Sequence, residues 1–258
     1  MAWVLDLDGV LWLGDQPLPG AAEAVARLRT AGEQVLFATN NSSMRVGRQE
    51  EKLAAFGVPA EGGVVTSAMA AARLVQPGER ALVCGGPGID EALTARGAEV
   101  VDSRTHEPDD GQVDVVVVGF HRHFDYEGLR RTAVQVDRGA RFLATNDDAT
   151  YPTPDGPIPG GGAIAAAIAY ATGRQPEVAG KPHQPMAELI HQLAGGPGDT
   201  GTMVGDRPST DGAFAKTLGY RFALVLSGVT AAADLPVSPT PDLVADDLAA
   251  LVTAALDG

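Results

Sequence analysis

Short apolar runs alternate with longer helical patterns along this chain, and this alternation constrains the fold more than any other feature. The runs lack period-two alternation and lie at residues 3–7, 34–38, 64–66, 81–84, 113–118, 141–144, 202–204 and 222–226. Such strands belong to sheets covered on both faces. The helical patterns between them lie at residues 21–31, 45–56, 89–96, 126–138, 162–171, 184–194 and 210–218. We therefore predict an α/β fold with parallel sheets.

The chain of 258 residues is long enough for two modest domains. A Pro/Gly stretch at 75–79 and a polar, Gly-containing stretch at 173–180 bracket roughly a hundred residues with their own strands and helices. We predict a discontinuous core domain formed by residues 1–77 and 178–258. Residues 78–177 are predicted to form an inserted domain.

The formal net charge of −14 argues against nucleic acid or an anionic membrane as a partner, because both reward excess Lys and Arg. An anionic small molecule stays compatible, since a bound cation can reverse the field of one pocket. Cys84 stands alone, so we expect no intramolecular disulfide. Met1 leads directly into a strand without a basic and then apolar leader, so we expect a cytoplasmic protein.

The first candidate site is Asp6-Leu7-Asp8-Gly9, at the end of the first apolar run. Period-two alternation places both carboxylates on one side of the strand, and ligands of parallel sheets gather at the carboxyl ends of strands. Two close carboxylates repel each other unless a proton or cation intervenes, and Mg²⁺ suits hard oxygen ligands. On this segment alone, a hairpin with Asp8-Gly9 as its tight turn is an equal alternative.

Polar residues follow the next apolar run as Thr39-Asn40-Asn41-Ser42. Their hydroxyl, amide and backbone N–H donors suit phosphate oxygens. They also suit the N-terminal cap of the helix predicted to begin near Arg45. The two roles are compatible, because helix N-termini favour anions.

Three further residues lie far along the chain. Lys181 stands between Gly and Pro, where a turn could point its cation at a phosphate. Asp206 follows another apolar run and could complete a cation site with Asp6 and Asp8. Asp211 could orient Lys181 or an outer-shell water. Taken singly, Lys181 is explained as a solvated lysine and Asp211 as an acidic residue at a helix N-terminus. The segments around residues 6–9, 39–42, 181 and 206–211 together predict one site.

These segments, in this order, resemble the four motifs of the haloacid dehalogenase superfamily, and the chain is similar to its NagD-like phosphatases, which carry a type IIA cap. The matching segments are Asp-Leu-Asp-Gly-Val at 6–10, Thr-Asn-Asn-Ser at 39–42, Gly-Lys-Pro at 180–182 and Gly-Asp-Arg-x-x-Thr-Asp at 205–211. The resemblance covers nearly the whole chain. It implies a Rossmann-like parallel-sheet core with an inserted smaller α/β cap domain.

The resemblance also implies roles for the site residues. Asp6 would attack phosphorus to form an aspartyl-phosphate, and Asp8 would exchange protons with the leaving alcohol and the hydrolytic water. Mg²⁺ would bind the carboxylates of Asp6 and Asp206 and the backbone carbonyl of Asp8. The residues implied to hold the phosphoryl group are Thr39, Asn40, Asn41 and Lys181. The expected substrates are small phosphorylated metabolites such as sugar, glycerol or aryl phosphates. Halide-displacing members lack the second Asp, so dehalogenation is not expected.

Residues 144–152 and 157–163 are similar to NagD-type cap segments, the first of which helps to choose the substrate in the resembling enzymes. The candidate specificity residues there are Asn146, Asp148 and Tyr151; a Pro-bounded turn is the alternative. Related vitamin B6 phosphate phosphatases carry His in place of Tyr151 and usually Pro in place of Asp147, which weakens a pyridoxal-phosphate assignment. The resemblance further implies that two copies pair through their caps.

Two rival functions stay open on the sequence. A phosphotransferase or phosphomutase would use the same Asp6 chemistry but protect the intermediate from water. A signalling receiver would carry a phosphorylated Asp as a switch. The receiver fits less well, because receivers are about half this length and have no cap-sized insertion.

Overall fold

The computed structural model describes residues 1–60, 62–103, 111–151, 153, 156–196, 198 and 200–257. The chain folds into two units. The first comprises Met1–Thr39, Gly47–Val65 and Lys181–Gly258, and the second comprises Asn40–Val46 and Thr66–Gly180. Among the described residues, none of the helices combines the length and the hydropathy that a membrane span needs.

The strands and helices follow one another in an order typical of α/β proteins. The strands are β1 (Ala2–Leu5), β2 (Trp12–Leu13), β3 (Gln16–Pro17), β4 (Gln34–Thr39), β5 (Val64–Thr66), β6 (Arg80–Cys84), β7 (Glu99–Asp102), β8 (Val115–Val118), β9 (Arg141–Ala144), β10 (Thr150–Tyr151), β11 (Ile158–Pro159), β12 (Glu177–Val178), β13 (Gly201–Gly205), β14 (Arg221–Val225) and β15 (Leu243–Ala245). The helices are α1 (Ala21–Thr30), α2 (Val46–Ala55), α3 (Ser67–Arg73), α4 (Pro87–Arg96), α5 (Tyr126–Asp137), α6 (Gly161–Thr172), α7 (Gln184–Ala194), α8 (Ala213–Leu218) and α9 (Leu248–Asp257).

The first unit contains a six-stranded sheet in the order β15-β14-β13-β1-β4-β5. Strand β1 pairs in parallel with β13 on one side and with β4 on the other. All four residues of β1 are buried, which explains why its sequence is apolar without alternation. Because β1 has two parallel partners, the hairpin alternative for Asp8-Gly9 is wrong. A small antiparallel hairpin instead follows, formed by β2 and β3.

The second unit contains a five-stranded sheet in the order β12-β9-β8-β6-β7, with parallel pairing throughout. Its central strand β8 is wholly buried, and α5 and α6 pack against each other beside the sheet. Strands β10 and β11 form a short antiparallel hairpin. Parallel sheets flanked by helices in both units confirm the predicted α/β fold.

The boundaries of the two units differ from the expected domain limits at residues 40–46, 66–77 and 178–180, which belong to the second unit. Helix α3 packs against α4, and the N–H of Gly88 donates a hydrogen bond to the carbonyl of Ser43 at 3.1 Å. These contacts explain why residues 40–46 and 66–77 group with the second sheet. The assignment of residues 78–177 as an inserted cap stays a prediction.

Several elements depart from the expected ranges. The helix predicted at 210–218 starts as a π-helical turn, Pro208–Gly212, and continues as α8. Strand β1 ends at Leu5, so Asp6 is the first residue beyond it. The sequence patterns did not predict α3, α9, β7 or β15.

Candidate active site

Three site residues of the first unit lie at the carboxyl ends of adjacent strands. Asp6 follows β1, Asp206 follows β13, and Thr39 is the last residue of β4. These strands are neighbours in the order β13-β1-β4 and run parallel, so their carboxyl ends meet at one edge of the sheet. The fold therefore gathers residues that are about 200 positions apart in the sequence.

Lys181 is the cation of this site, and its side chain is only 2% exposed. Its Nζ lies 2.9 Å from Oδ1 of Asp6 and donates a hydrogen bond to Oδ1 of Asp211 at 2.8 Å. Burial lowers the pKa of Lys181, but Asp211 and Asp6 outweigh that effect and raise the pKa above its usual value. The ammonium therefore stays charged between two carboxylates.

Asp206 is buried and held by the segment after β14. Its Oδ2 accepts a hydrogen bond from the N–H of Val229 at 2.6 Å, and its carbonyl accepts one from the hydroxyl of Thr230 at 2.6 Å. A Cβ added at Gly9 or Gly228 would collide with the same carboxylate. Burial and then the charge of Asp6 raise the pKa of Asp206 to about 6.

Asp211 lies in the π-helical turn after β13 and is almost completely buried. Besides the ammonium of Lys181, its carboxylate accepts the backbone N–H of Arg207 at 3.1 Å. Burial raises the pKa of Asp211, and the charge of Lys181 opposes that rise. Asp211 therefore fixes the position of Lys181 and the start of the segment that follows Asp206.

The carboxylates of Asp6, Asp206 and Asp211 each offer one oxygen within 4.8 Å of the others. In the described part of the chain, Oδ1 of Asp206 is buried and has no hydrogen-bond partner. Buried polar atoms are normally satisfied, so this oxygen has a place for a ligand. Crowded carboxylate oxygens with one such atom fit Mg²⁺, a hard cation bound through one or two carboxylates and water. The metal donors expected from the sequence were Asp6, Asp8 and Asp206; the clustered carboxylates are those of Asp6, Asp206 and Asp211.

Asp8 lies outside this carboxylate cluster and has a different environment. Its Oδ1 accepts a hydrogen bond from the indole N–H of Trp12 at 3.0 Å. Burial and then the charge of Asp6 raise the pKa of Asp8, while Trp12, Lys52 and Lys181 act in the opposite direction. A raised pKa favours the protonated form of the carboxyl group, which is the form that can donate a proton.

The other expected site residues lie together in the second unit. Nδ2 of Asn40 donates to Oδ2 of Asp148 at 3.0 Å, and Nδ2 of Asn41 lies 3.5 Å from the hydroxyl of Tyr151. Nδ2 of Asn146 donates to the carbonyl of Asn40 at 2.8 Å. The two Asn residues that follow Thr39 in the chain therefore form one hydrogen-bonded group with all three candidate specificity residues.

Sequence reasoning did not identify Trp12, Val229 or Thr230. Val229 and Thr230 act through a backbone N–H and a hydroxyl in a loop without a recognisable pattern. Trp12 had a weak signal, because a buried indole N–H usually requires a hydrogen-bond acceptor nearby.

Comparison with known families gives two matches. Residues 3–99 match the model of a family described as haloacid dehalogenase-like hydrolase. Residues 178–251 match a second model, described as HAD-hydrolase-like. The two matches include every site residue discussed for the first unit.

Three relatives illustrate what the chain is similar to. An acid sugar phosphatase of Staphylococcus saprophyticus is 35% identical over 214 residues, which are 81% of this chain and 80% of that protein. A p-nitrophenyl phosphatase of Archaeoglobus fulgidus has a solved structure with a TM-score of 0.89 and 31% identity, covering 98% of both chains. A glycerol phosphate phosphatase of Mycobacterium tuberculosis, solved in complex with magnesium, has a TM-score of 0.85 and 33% identity, covering 97% of this chain and 75% of that chain.

Proposed function

The chain belongs to the haloacid dehalogenase-like hydrolases, and from this premise we propose that it is a Mg²⁺-dependent phosphatase of small phosphomonoesters with Asp6 as nucleophile. The observation that carries the proposal is the contact of Lys181 with both Asp6 and Asp211. A buried cation beside a carboxylate at the carboxyl edge of a parallel sheet is suited to bind a phosphate dianion and to bring it to that carboxylate.

In the first step, a carboxylate oxygen of Asp6 forms a bond to phosphorus while the bond from phosphorus to the leaving oxygen breaks. The leaving oxygen takes the proton of the Asp8 carboxyl group and departs as an alcohol. Lys181 and the Thr39 hydroxyl hold oxygens of the transferring group. Bound Mg²⁺ supplies further positive charge that offsets repulsion between the phosphate and the carboxylate.

In the second step, the carboxylate of Asp8 accepts a proton from a water molecule as the water oxygen bonds to phosphorus. The acyl phosphate bond breaks, Asp6 recovers its carboxylate, and inorganic phosphate is released. The raised pKa of Asp8 supports its part in both steps, because it favours the protonated acid that the first step needs and makes the carboxylate a stronger base for the second.

We propose metal ligation by Asp6, Asp206 and the carbonyl of Asp8, with Asp211 as the residue that positions Lys181. The support for Asp206 is its buried Oδ1, which lacks a hydrogen-bond partner among the residues that the structure describes. Asn40 and Asn41 are proposed to complete the phosphate site through their position directly after Thr39.

Substrate choice is proposed to depend on Asn146, Asp148 and Tyr151. Their support is the hydrogen-bonded group that they form with Asn40 and Asn41. The activities for which the relatives are named make sugar, glycerol and aryl phosphates the substrate classes to test. A homodimer formed through the cap and a cytoplasmic location also remain proposals.

The test is phosphate release from a panel of monoesters with Mg²⁺, compared for the wild type, Asp6→Asn and Asp257→Asn. We expect Asp6→Asn to lower kcat by at least about a thousandfold, because it removes the attacking group. Asp257 forms an exposed ion pair with Arg27, so the same chemical change there should leave kcat unchanged. An inactive wild type, or an Asp6→Asn variant with full activity, would contradict the proposal.

A further inference from the structure

Trp12 lies beside Asp8 because of the turn that follows β1. The N–H of Leu11 donates to the carbonyl of Leu7 at 2.9 Å, and the N–H of Gly9 donates to the carbonyl of Trp12 at 2.8 Å. The turn reverses the chain at Gly9, which has a φ of +80°, a conformation that glycine adopts without strain. The indole N–H of Trp12 thereby reaches Oδ1 of Asp8 at 3.0 Å.

The Trp12 ring contacts Lys52 of α2 and Phe56, which directly follows that helix. Nζ of Lys52 lies 4.5 Å from the centroid of the ring, within cation–π range, and donates a hydrogen bond to the carbonyl of Gly14 at 2.8 Å. The ring of Phe56 meets Trp12 edge-on, with 5.8 Å between centroids. The indole is 3% exposed, so its rotation is restricted on several sides.

This arrangement matters because the terminal torsion of an Asp side chain has a broad energy profile and does not by itself aim the carboxyl group. Proton transfer to a leaving oxygen requires a carboxyl oxygen within hydrogen-bond reach of it. An indole N–H donates but does not accept, so it can hold Oδ1 without competing for the acid proton. The other oxygen, Oδ2, is then left to carry that proton.

We propose that Trp12 is a positioning residue for Asp8, held in turn by Lys52, and that this pair aims the acid at the leaving group. The proposal rests on the proposed function, in which Asp8 is the acid–base. It assigns a step-specific role: the orientation of Asp8 matters when the leaving oxygen needs a proton. In that first step it matters little when the oxygen leaves readily as an anion.

The test compares wild type and Trp12→Phe on two esters, glycerol 3-phosphate and p-nitrophenyl phosphate. The alkoxide of glycerol needs protonation to leave, whereas p-nitrophenolate is stable as an anion. We expect kcat/KM, which covers the steps up to release of the alcohol, to fall at least about tenfold more for glycerol 3-phosphate than for p-nitrophenyl phosphate, since misplaced catalytic groups cost up to about a hundredfold. A purely structural role would lower both rates by the same factor.

Two further variants keep the test decisive. Phe56→Leu removes an edge contact from the same ring but retains the indole N–H, so its effect on the two esters should be equal. Lys52→Met keeps an apolar side chain near the ring and removes the cation, and it should shift the ratio in the direction of Trp12→Phe by a smaller factor. Lys52→Met also decides the matter if Trp12→Phe does not fold.

The outcomes separate the two proposals. An active wild type with an unchanged ratio of rates in Trp12→Phe and Lys52→Met overturns the role of Trp12 and leaves the proposed function standing. A wild type that hydrolyses neither ester overturns both. A selective loss on glycerol 3-phosphate, absent in Phe56→Leu, supports the inference.

Discussion

Nζ of Lys181 lies 2.9 Å from Oδ1 of Asp6, and the lysine is nearly inaccessible to solvent. The same ammonium contacts Asp211, so a single buried cation stands among three clustered carboxylates. Buried charges are tolerated when they are paired and hydrogen-bonded. The stability of this edge of the sheet and the charge that faces the proposed nucleophile therefore depend on one side chain.

Replacing Lys181 with Met should impair both properties. The variant leaves the buried carboxylates without their cation, and breaking a buried pair by removing one partner costs about 3 kcal/mol of unfolding free energy. We expect kcat on p-nitrophenyl phosphate to fall by about a thousandfold, because a charge that stabilises the transferring group is lost. Urea denaturation and steady-state kinetics measure the two effects.

Lys216→Met is the matched control for this variant. Lys216 lies on α8 and is exposed, so its replacement should change neither quantity by more than the scatter of surface substitutions. A Lys181→Met protein with wild-type stability and activity would show that the buried cation is dispensable.

Mg²⁺ binding should weaken as the pH falls through about 6. Burial raises the pKa of Asp206 to about 6, so the metal-free protein holds a proton there at lower pH, whereas metal ligation requires the ionised carboxylate. The dissociation constant should be nearly constant above pH 7 and rise by up to about tenfold per pH unit below 6, since one proton must be displaced. Calorimetric titration with Mg²⁺ from pH 5 to 8 measures this dependence, and an affinity that is equal at pH 5 and pH 7 would contradict it.

The fold was predictable because its central strands are buried on both faces. Strands β1, β8 and β13 are wholly buried, so their sequences are continuous apolar runs that stand out from the helical patterns. Helix α3 was not predicted, because five of its seven residues are buried and its Ala-rich sequence lacks a polar face. A segment that is apolar on all sides carries no periodicity from which to recognise it.

The site was predictable to the extent that each residue directly follows a strand. Asp6 and Asp206 occupy such positions, Thr39 is the last residue of its strand, and parallel pairing brings all three to one edge. The contact between Trp12 and Asp8 was not predictable, because it depends on the geometry of the turn at Gly9 rather than on spacing along a strand. The sequence of Asp8-Gly9 alone was equally consistent with a hairpin, and only the pairing of β1 with two parallel partners decides against it.

Asp148→Asn should change substrate preference more than basal activity. Its Oδ2 accepts a hydrogen bond from Asn40, and an amide in its place changes both the charge and the donor pattern of that group. We expect the ratio of kcat/KM for glycerol 3-phosphate to that for a sugar phosphate to change by about fivefold or more, because polar groups discriminate substrate hydroxyls strongly. Activity on p-nitrophenyl phosphate should stay within about twofold.

The neighbouring Asp147 is exposed and provides the control for that variant, since Asp147→Asn makes the same chemical change one residue away. Its substrate ratio should match that of the wild type. Equal losses on all three esters in Asp148→Asn would assign Asp148 a structural role instead.

Gly228→Ala should weaken Mg²⁺ binding while the fold is retained. A Cβ at this position would collide with Oδ2 of Asp206, the oxygen that also accepts the N–H of Val229. The carboxylate must move, and changes next to metal ligands typically cost about 10- to 100-fold in metal affinity.

Gly47→Ala is the matched control, because Gly47 lies in α2 with no atom within 4 Å of an added Cβ. That substitution should leave Mg²⁺ affinity unchanged. It should raise the free energy of unfolding by up to about 1 kcal/mol, because alanine restricts the unfolded chain more than glycine does. Calorimetric titration with Mg²⁺ at pH 7.5, together with circular dichroism melting, separates the two variants, and equal affinities would show that Asp206 does not hold the metal in the position that its contacts indicate.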